Sequence, residues 1–305
     1  MASCNGEKYI AEQIESILNQ TEQDWKLVIQ DDCSTDGTFK IAEKYAQKYP
    51  DRIFAVQRKT PSGSAQNNFF SMLRFADSEY TMFCDDDDVW LPDKMKHVLT
   101  VMRSMETKWG TKTPILVHTD LKVVDANLEV ISDSMFRRQN LDSRKCDLNQ
   151  LLTQNNITGC TMIVNHTLVG TIVSAGIPAH AIVHDWWFAL AAAACGKIGF
   201  VEQPEILYRQ HTANEIGAQN ARSFLYNLKQ LSALSQVRQS LEATYRQAEE
   251  FGERFRLMLD PESVAMILDY SSIPHLTKLQ KIHLLNTRGF WKTGLARKLG
   301  QLLLV

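Results

Sequence analysis

The spacing of apolar residues sets the first prediction. Between Lys8 and Gln20, Ile10, Ile14, Ile17 and Leu18 recur at helical intervals, so this segment reads as an amphipathic helix preceded by an Asn5–Gly6 turn. The run Trp25–Gln30 is short and rich in β-formers, which predicts a strand, and from Thr38 the pattern FKIAEKYAQKY is helical again until Pro50. The alternation then repeats. RIFAVQ reads as strand, QNNFFSMLRFADS as helix, and YTMFC as a strand that ends in four consecutive carboxylates, Asp85 to Asp88. Strands alternating with helices predict an α/β fold with a mostly parallel central sheet flanked by helices, whose ligands sit beyond the carboxyl ends of the strands.

Farther along, PILVHTDLKVVD is strand-like, and NNITGCTMIVNHTLV turns at a glycine into an apolar segment. HDWWFALAAAACGKIGFV predicts a helix opened by His184 and Asp185 and stopped near Gly196. The sheet-forming part, residues 1–217, gives way to a helical region, 218–305, with one or two long helices over Gln219–Leu259. From Tyr270 to Val305 there is no Asp or Glu but six Lys or Arg, interleaved with Leu276, Leu279, Ile282, Leu285, Phe290, Trp291, Leu295 and Leu299. Such a tail fits a basic amphipathic helix on an anionic bilayer surface, or a helix whose apolar face packs on the domain.

Composition narrows the functional classes. With 305 residues, 44% of them apolar and 22% charged, the chain can bury a sizeable core. Lys+Arg 33 against Asp+Glu 35 leaves a net charge of −2, so no global basic field points to nucleic acid. Six cysteines without a C-x-x-C pair fit a reduced, cytoplasmic setting. Neither a basic-then-apolar leader nor a run of about eighteen apolar residues is present, so neither secretion nor membrane spanning is expected.

Four adjacent negative charges beside an apolar strand cost stability unless a cation or hydrogen-bond donors offset them. Hard oxygen ligands at a strand end suit Mg²⁺ or Mn²⁺, which complete their shells with substrate phosphates and water. One metal does not need four carboxylates, so Asp88 is expected to cap the turn into VWLPDKM and another to accept from a sugar hydroxyl. In DDCSTDG, the residues Asp32, Ser34, Asp36, Gly37 and Glu43 match positions 1, 3, 5, 6 and 12 of a calcium loop. The strand that enters it and Lys40 at the ninth position argue for an ordinary turn and helix cap instead. Asp185, beside Trp186 and Trp187, is a candidate general base because an apolar setting raises a carboxylate's pKa, although an Asp opening a helix is also an ordinary cap. In YRQHTAN, Arg209 could pair with phosphate and His211 could ligate a metal, whereas a lone loop histidine is more often solvated.

Together these segments resemble the inverting nucleotide-sugar glycosyltransferases of family 2, with the Rossmann-like GT-A fold, and among them the bacterial rhamnosyltransferases that build rhamnose-rich wall polysaccharides. The matching text is SCNGEKYIAEQIESILNQT, DWKLVIQDDCSTDGT, DDDDVWLPDK, HTDLKVVD, NNITGCTMIVNH, HDWWFALAAAACGKI and LYRQHTANEIGA. The resemblance implies that Ser3, Asn5 and Asp32 hold the nucleotide, that Asp86 faces its ribose, and that Asp85 opens a D-x-D motif whose last member, Asp87, ligates the metal. It further implies that His211 reaches the metal or diphosphate, that Asp185 is the catalytic base, and that Trp186 and Trp187 lie toward the acceptor.

The implied partners are Mn²⁺ or Mg²⁺, dTDP-L-rhamnose, a lipid-linked saccharide, the inner membrane surface through the tail, and a second copy in a homodimer. Three departures stand out: Cys33 where relatives usually have Gly, a charged Asp86 where many have a neutral residue, and a first strand that looks truncated because Met1 lies four residues before Asn5. Rival readings are a metal-dependent nucleotidyltransferase or phosphatase, for which CDDDDVW lacks a nearby phosphate-cradling glycine loop, and a saccharide-binding protein without turnover.

Overall fold

The computed structural model describes residues 1–211 and 234–305, so the boundary expected at Gly217 and the start of the helix expected from Gln219 lie outside the described residues. In chain order the first half comprises β1 (Ala2–Ser3), α1 (Ile10–Leu18), β2 (Leu27–Asp31), α2 (Thr38–Lys48), β3 (Ile53–Gln57), α3 (Ala65–Met72), β4 (Tyr80–Met82), β5 (Val89–Trp90) and α4 (Lys94–Trp109). Next come β6 (Ile115–Val124), β7 (Val130–Ser132), α5 (Met135–Gln139), α6 (Leu148–Thr153), β8 (Ile163–Asn165), α7 (His166–Ala175), α8 (His184–Cys195) and β9 (Lys197–Arg209). Among the described residues that follow are the helices α9 (Leu234–Phe255), α10 (Pro261–Ser272), α11 (Lys278–Arg288) and α12 (Leu295–Leu304).

The expected α/β alternation forms β1, β2 and β3 into a parallel sheet, with Leu27 opposite Ile53 and Ala2 opposite Gln30. A second sheet runs β4-β8-β6-β9-β5, with β7 alongside β6. Here β6 and β9 are parallel, while β8 lies antiparallel to both β4 and β6, and β5 is antiparallel to β9. The three-residue β8 leads directly into α7, whose N-cap Asn165 accepts the Leu168 N–H at 3.1 Å.

Only two residues of β1 join the sheets. The Met1 amine donates to Val28 O at 2.7 Å and Ala2 N donates to Cys84 O at 3.1 Å. Alongside it, a cleft of about 480 Å³ opens between β2 and β4, lined by Leu27, Val28, Thr81, Met82, Phe69 and Leu73, and it includes none of the four acidic-loop carboxylates. Burial lowers the pKa of the Met1 amine that lines it.

Helix α8 is apolar on every side, with Trp186 through Ala192 all buried, and a helix of that kind has to be surrounded. The C-terminal helices surround it. Trp187 packs edge-on against Phe251 at 5.3 Å, and Tyr270 against Phe290 at 5.0 Å, so α9 to α11 share one core with α3 and α8. The last segment is divided: Trp291 before α12, Leu304 at its end and Val305 after it pack on this core, while Leu295, Leu299 and Leu303 of α12 form an exposed stripe.

Candidate active site

The C-terminal ends of the strands converge. After β2 the chain turns through Cys33 at φ +61°, a left-handed conformation that costs a non-glycine residue about 1 kcal/mol and that explains why Gly is expected there. Asn5, itself at φ +53°, ties this loop to the one after β1: its N–H donates to Ser34 Oγ at 2.8 Å and its Oδ1 accepts Thr35 N at 2.9 Å. Ser3 is buried and contributes its carbonyl, which accepts Asp32 N at 2.8 Å. The Asp32 carboxylate accepts from Ser62 N at 2.7 Å and Ser62 Oγ at 2.6 Å and pairs with Arg58 Nε at 3.2 Å. Asp36 Oδ1 accepts Thr38 N at 3.0 Å, an Asx turn leading into α2, whereas the helix N-cap itself is Gly37 and has no side-chain cap, contrary to the cap expected there.

The acidic loop joins β4 to β5. Asp87 Oδ2 lies 2.8 Å from His211 Nε2, bringing together the two residues predicted to ligate a metal across 124 positions of sequence. His211 in turn stacks on Tyr9, with ring centroids 4.9 Å apart. Asp86 accepts Cys4 N at 3.2 Å, and its carboxylate approaches Gly6 so closely that a Cβ there would meet Oδ2 at 2.2 Å. Burial, then the Asp87 charge, push the Asp86 carboxyl up to about 7. The same two causes, in the same order, raise Asp85 and Asp88. The Met1 amine opposes this effect at Asp85 and the buried Lys94 feels the Asp88 charge, and the repulsion left among the carboxylates is of the kind that a bound cation relieves.

Asp88 departs from expectation. It is fully buried rather than capping the following turn, and its Oδ1 accepts Arg209 N at 3.2 Å. With Asp85 and Cys160 it forms a trio whose ligand atoms lie within 4.8 Å of one another. Arg209 also differs from its predicted role as a phosphate clamp. It is 2% exposed, Nε donates to Asp87 O at 2.7 Å, Nη1 donates to Ala126 O at 2.7 Å, and Nη2 pairs with Glu12. Its guanidinium therefore fixes the backbone of the acidic loop, and Tyr9 covers its face at 4.5 Å.

Asp185 sits in the first turn of α8, partly exposed. Asn155 Nδ2 donates to its Oδ1 at 2.9 Å and Gly159 N donates to its Oδ2 at 2.8 Å. Burial raises the carboxyl to about 7, against the lowering effect of the donors from Gly159, Trp186 and Asn155. Gly159 is followed by Cys160, so of two consecutive residues one donates to Asp185 and the other belongs to the acidic trio. The Asp185 charge also contributes to raising Asp85, which places the two within electrostatic reach.

The model of the family described as "Glycosyl transferase family 2" matches residues 1–110. A protein named dTDP-rhamnosyl transferase RfbG, from Shigella flexneri, is 30% identical over 233 residues, covering 72% of this chain and 74% of that one. The chain belongs to glycosyltransferase family 2. Among solved structures, S. aureus TarS 1–349 in complex with UDP-GlcNAc matches with a TM-score of 0.56 at 20% identity, covering 94% of this chain and 78% of that one. A mannosyltransferase from Pyrobaculum calidifontis, solved with GDP-Man and Mn²⁺, matches with a TM-score of 0.53 at 15% identity, covering 94% and 77%. These likenesses carry the fold, which is the GT-A fold implied by the resemblance.

Within this glycosyltransferase, two expected acceptor residues are corrected. Trp187 has no exposed surface and packs in the helical core, and Trp186 is buried with its indole N–H donating to Leu151 O at 2.5 Å. Successive helical residues project about 100° apart, so neighbours of Asp185 in sequence do not share its face. Sequence reasoning missed Tyr9, Asn155, Gly159 and Cys160. The text NNITGC marks the loop, but nothing in it signals which side chain reaches the carboxylate.

Proposed function

We propose that this family-2 glycosyltransferase moves L-rhamnose from dTDP-L-rhamnose to a hydroxyl of a lipid-linked saccharide, with inversion at the anomeric carbon and dependence on Mn²⁺ or Mg²⁺. The observation that carries the reading is a single carboxylate, Asp185, held by two donors and linked through Gly159–Cys160 to the acidic loop. A carboxyl raised to about 7 can be ionised at neutral pH yet basic enough to take a proton from an alcohol. One base on one side of the donor sugar suits direct displacement. The attacking hydroxyl gives its proton to Asp185 as its oxygen bonds to the anomeric carbon, and the bond to the nucleoside diphosphate breaks on the opposite face.

The nitrogen and oxygen donors of His211 and Asp87 suit the proposed cation, and the raised carboxyls of Asp85 and Asp86 favour positive charge beside them. When bound, that cation supplies neutralisation of the charge on the departing diphosphate. Asp32, Asn5 and the Ser3 backbone form the nucleotide side of the site, Asp85 and Asp86 the ribose and sugar side, and Arg209 holds the Asp87 backbone. The rhamnose assignment is supported by the relative from Shigella flexneri, whose name specifies dTDP-rhamnose.

A panel of nucleotide sugars, each with Mn²⁺, tests the donor: dTDP-L-rhamnose is expected to raise the melting temperature most and to be hydrolysed slowly without acceptor. Preference for a UDP sugar would overturn the rhamnose assignment, and absence of hydrolysis for every donor would favour a binding protein.

Lipid-linked acceptors give α12 a role at the membrane surface. No helix among the described residues is long and apolar enough to cross a membrane. Leu295, Leu299 and Leu303 are exposed at four-residue spacing beside the exposed Lys298, an arrangement that can rest on an anionic bilayer. Not all the basic residues are available for it, since Arg288 pairs with Asp269 and Arg297 donates to Gln139 O. Replacing the three leucines by serine is expected to weaken partition onto phosphatidylglycerol vesicles by at least about tenfold, measured by co-sedimentation, because each buried leucine contributes about 1.5–3 kcal/mol. Equal partition would remove α12 from that role.

A further inference from the structure

The Asn155 side chain has no freedom in which way it faces. Its Oδ1 accepts Ile157 N at 3.0 Å, and a backbone N–H can only donate, so the amide orientation is fixed by chemistry. Both remaining contacts fall to Nδ2, which donates to Ile157 O at 2.7 Å and to Asp185 Oδ1 at 2.9 Å. The side chain is thus clamped to the backbone two residues on, with one N–H aimed at the carboxylate.

The surroundings make that single donor consequential. Besides Asn155, the groups around Asp185 are Asp85 on the acidic loop, with which it shares mutual repulsion, Gly159 N opposite Asn155, and, on its own helix, Trp186 N and His184. His184 stacks on Phe69 at 4.0 Å, and burial lowers its imidazole to about 3, so it stays neutral and lends Asp185 no positive charge. Gly159 admits no side chain, since a Cβ would meet His184 Nε2 at 2.6 Å. No cation therefore stands among these groups, and neutral N–H donors oppose burial.

We propose that Asn155 is a positioning residue for Asp185, fixing both the direction and the charge of its carboxylate. This rests on the assignment of Asp185 as the base. A donor to the ionised form lowers a carboxyl's pKa, so its loss raises it, and a base that must be deprotonated then works only at higher pH. Asn155→Ala is expected to move the acidic limb of the pH–kcat profile upward by about one pH unit. Turnover at pH 6 then falls about tenfold while the plateau above pH 9 and the KM for donor change little. Asn155→Asp, which sets a second carboxylate against the first, moves the limb farther in the same direction and serves if the alanine variant does not fold.

The control is Asp185→Asn in the same assay. If it keeps full turnover, the base assignment fails and this inference with it. If it loses turnover while the limb in both Asn155 variants stays where it is in the parent, the base assignment stands and the positioning role is overturned.

Discussion

Asp185→Asn is expected to lower kcat by about two to four powers of ten while donor affinity changes little, the usual worth of a general base. The substitution is nearly isosteric, which separates chemistry from shape. Its structural cost is limited by two opposing effects. One side of the new amide presents a donor to Gly159 N–H or to Asn155 Nδ2, which costs about 1–3 kcal/mol for a mismatched buried pair. Against this, a carboxylate whose charge is disfavoured by burial is removed. Circular dichroism and thermal melting should therefore show a folded protein, with nucleotide binding by calorimetry close to that of the parent. Unchanged turnover would take Asp185 out of the mechanism. With Asp185 as the proposed base, activity of the parent should rise with pH through about 7, because its carboxyl is protonated below that value.

The sequence made some of this legible and hid the rest for identifiable reasons. Elements α1, β2, α2 and β3 follow from residue spacing and from breakers such as Pro50, because each is specified locally. The two-residue β5 carries no periodicity to read, yet its antiparallel pairing with β9 puts Arg209 under Asp87. The alternation rule is silent on β8, three residues long, whose direction is set by pairing with β4 and β6 rather than by its own sequence. Strand β9 is masked by Gly199 and by Pro204, which is accommodated where its register against β6 shifts after Thr119. At the site, the carboxylates and His211 announce themselves by residue type. Asn155 does not, since a lone amide is an ordinary loop residue until folding brings α8 beside it. Arg209 shows the converse: its type suggests phosphate, but its burial and backbone partners make it a strut.

The second large effect concerns Asp87, and it has opposite signs in the absence and presence of ligand. After burial, the Asp87 charge is the largest factor raising the carboxyls of Asp85, Asp86 and Asp88. A carboxyl raised in the folded state binds protons there that the unfolded chain has already released, so stability falls as pH rises from about 4, the unfolded value, to the folded value, about 7 for Asp86. Asp87→Ala relieves that repulsion. Without ligand, the variant is expected to melt about 2–4 °C higher than the parent at pH 7.5, with the gain fading near pH 4 where the raised carboxyls of Asp85, Asp86 and Asp88 are already neutral in the folded protein. Loss of the His211 contact subtracts from the gain at all pH values where that pair forms. With Mn²⁺ and nucleotide sugar present the order reverses. Affinity should fall by at least about 10- to 100-fold, since even groups outside the first coordination sphere of a metal are worth that much. Calorimetric titration with and without Mn²⁺ decides between a cation-binding loop and a merely repulsive one: equal nucleotide affinity in the two conditions for the parent would mean that the four aspartates do not hold a divalent ion for the substrate.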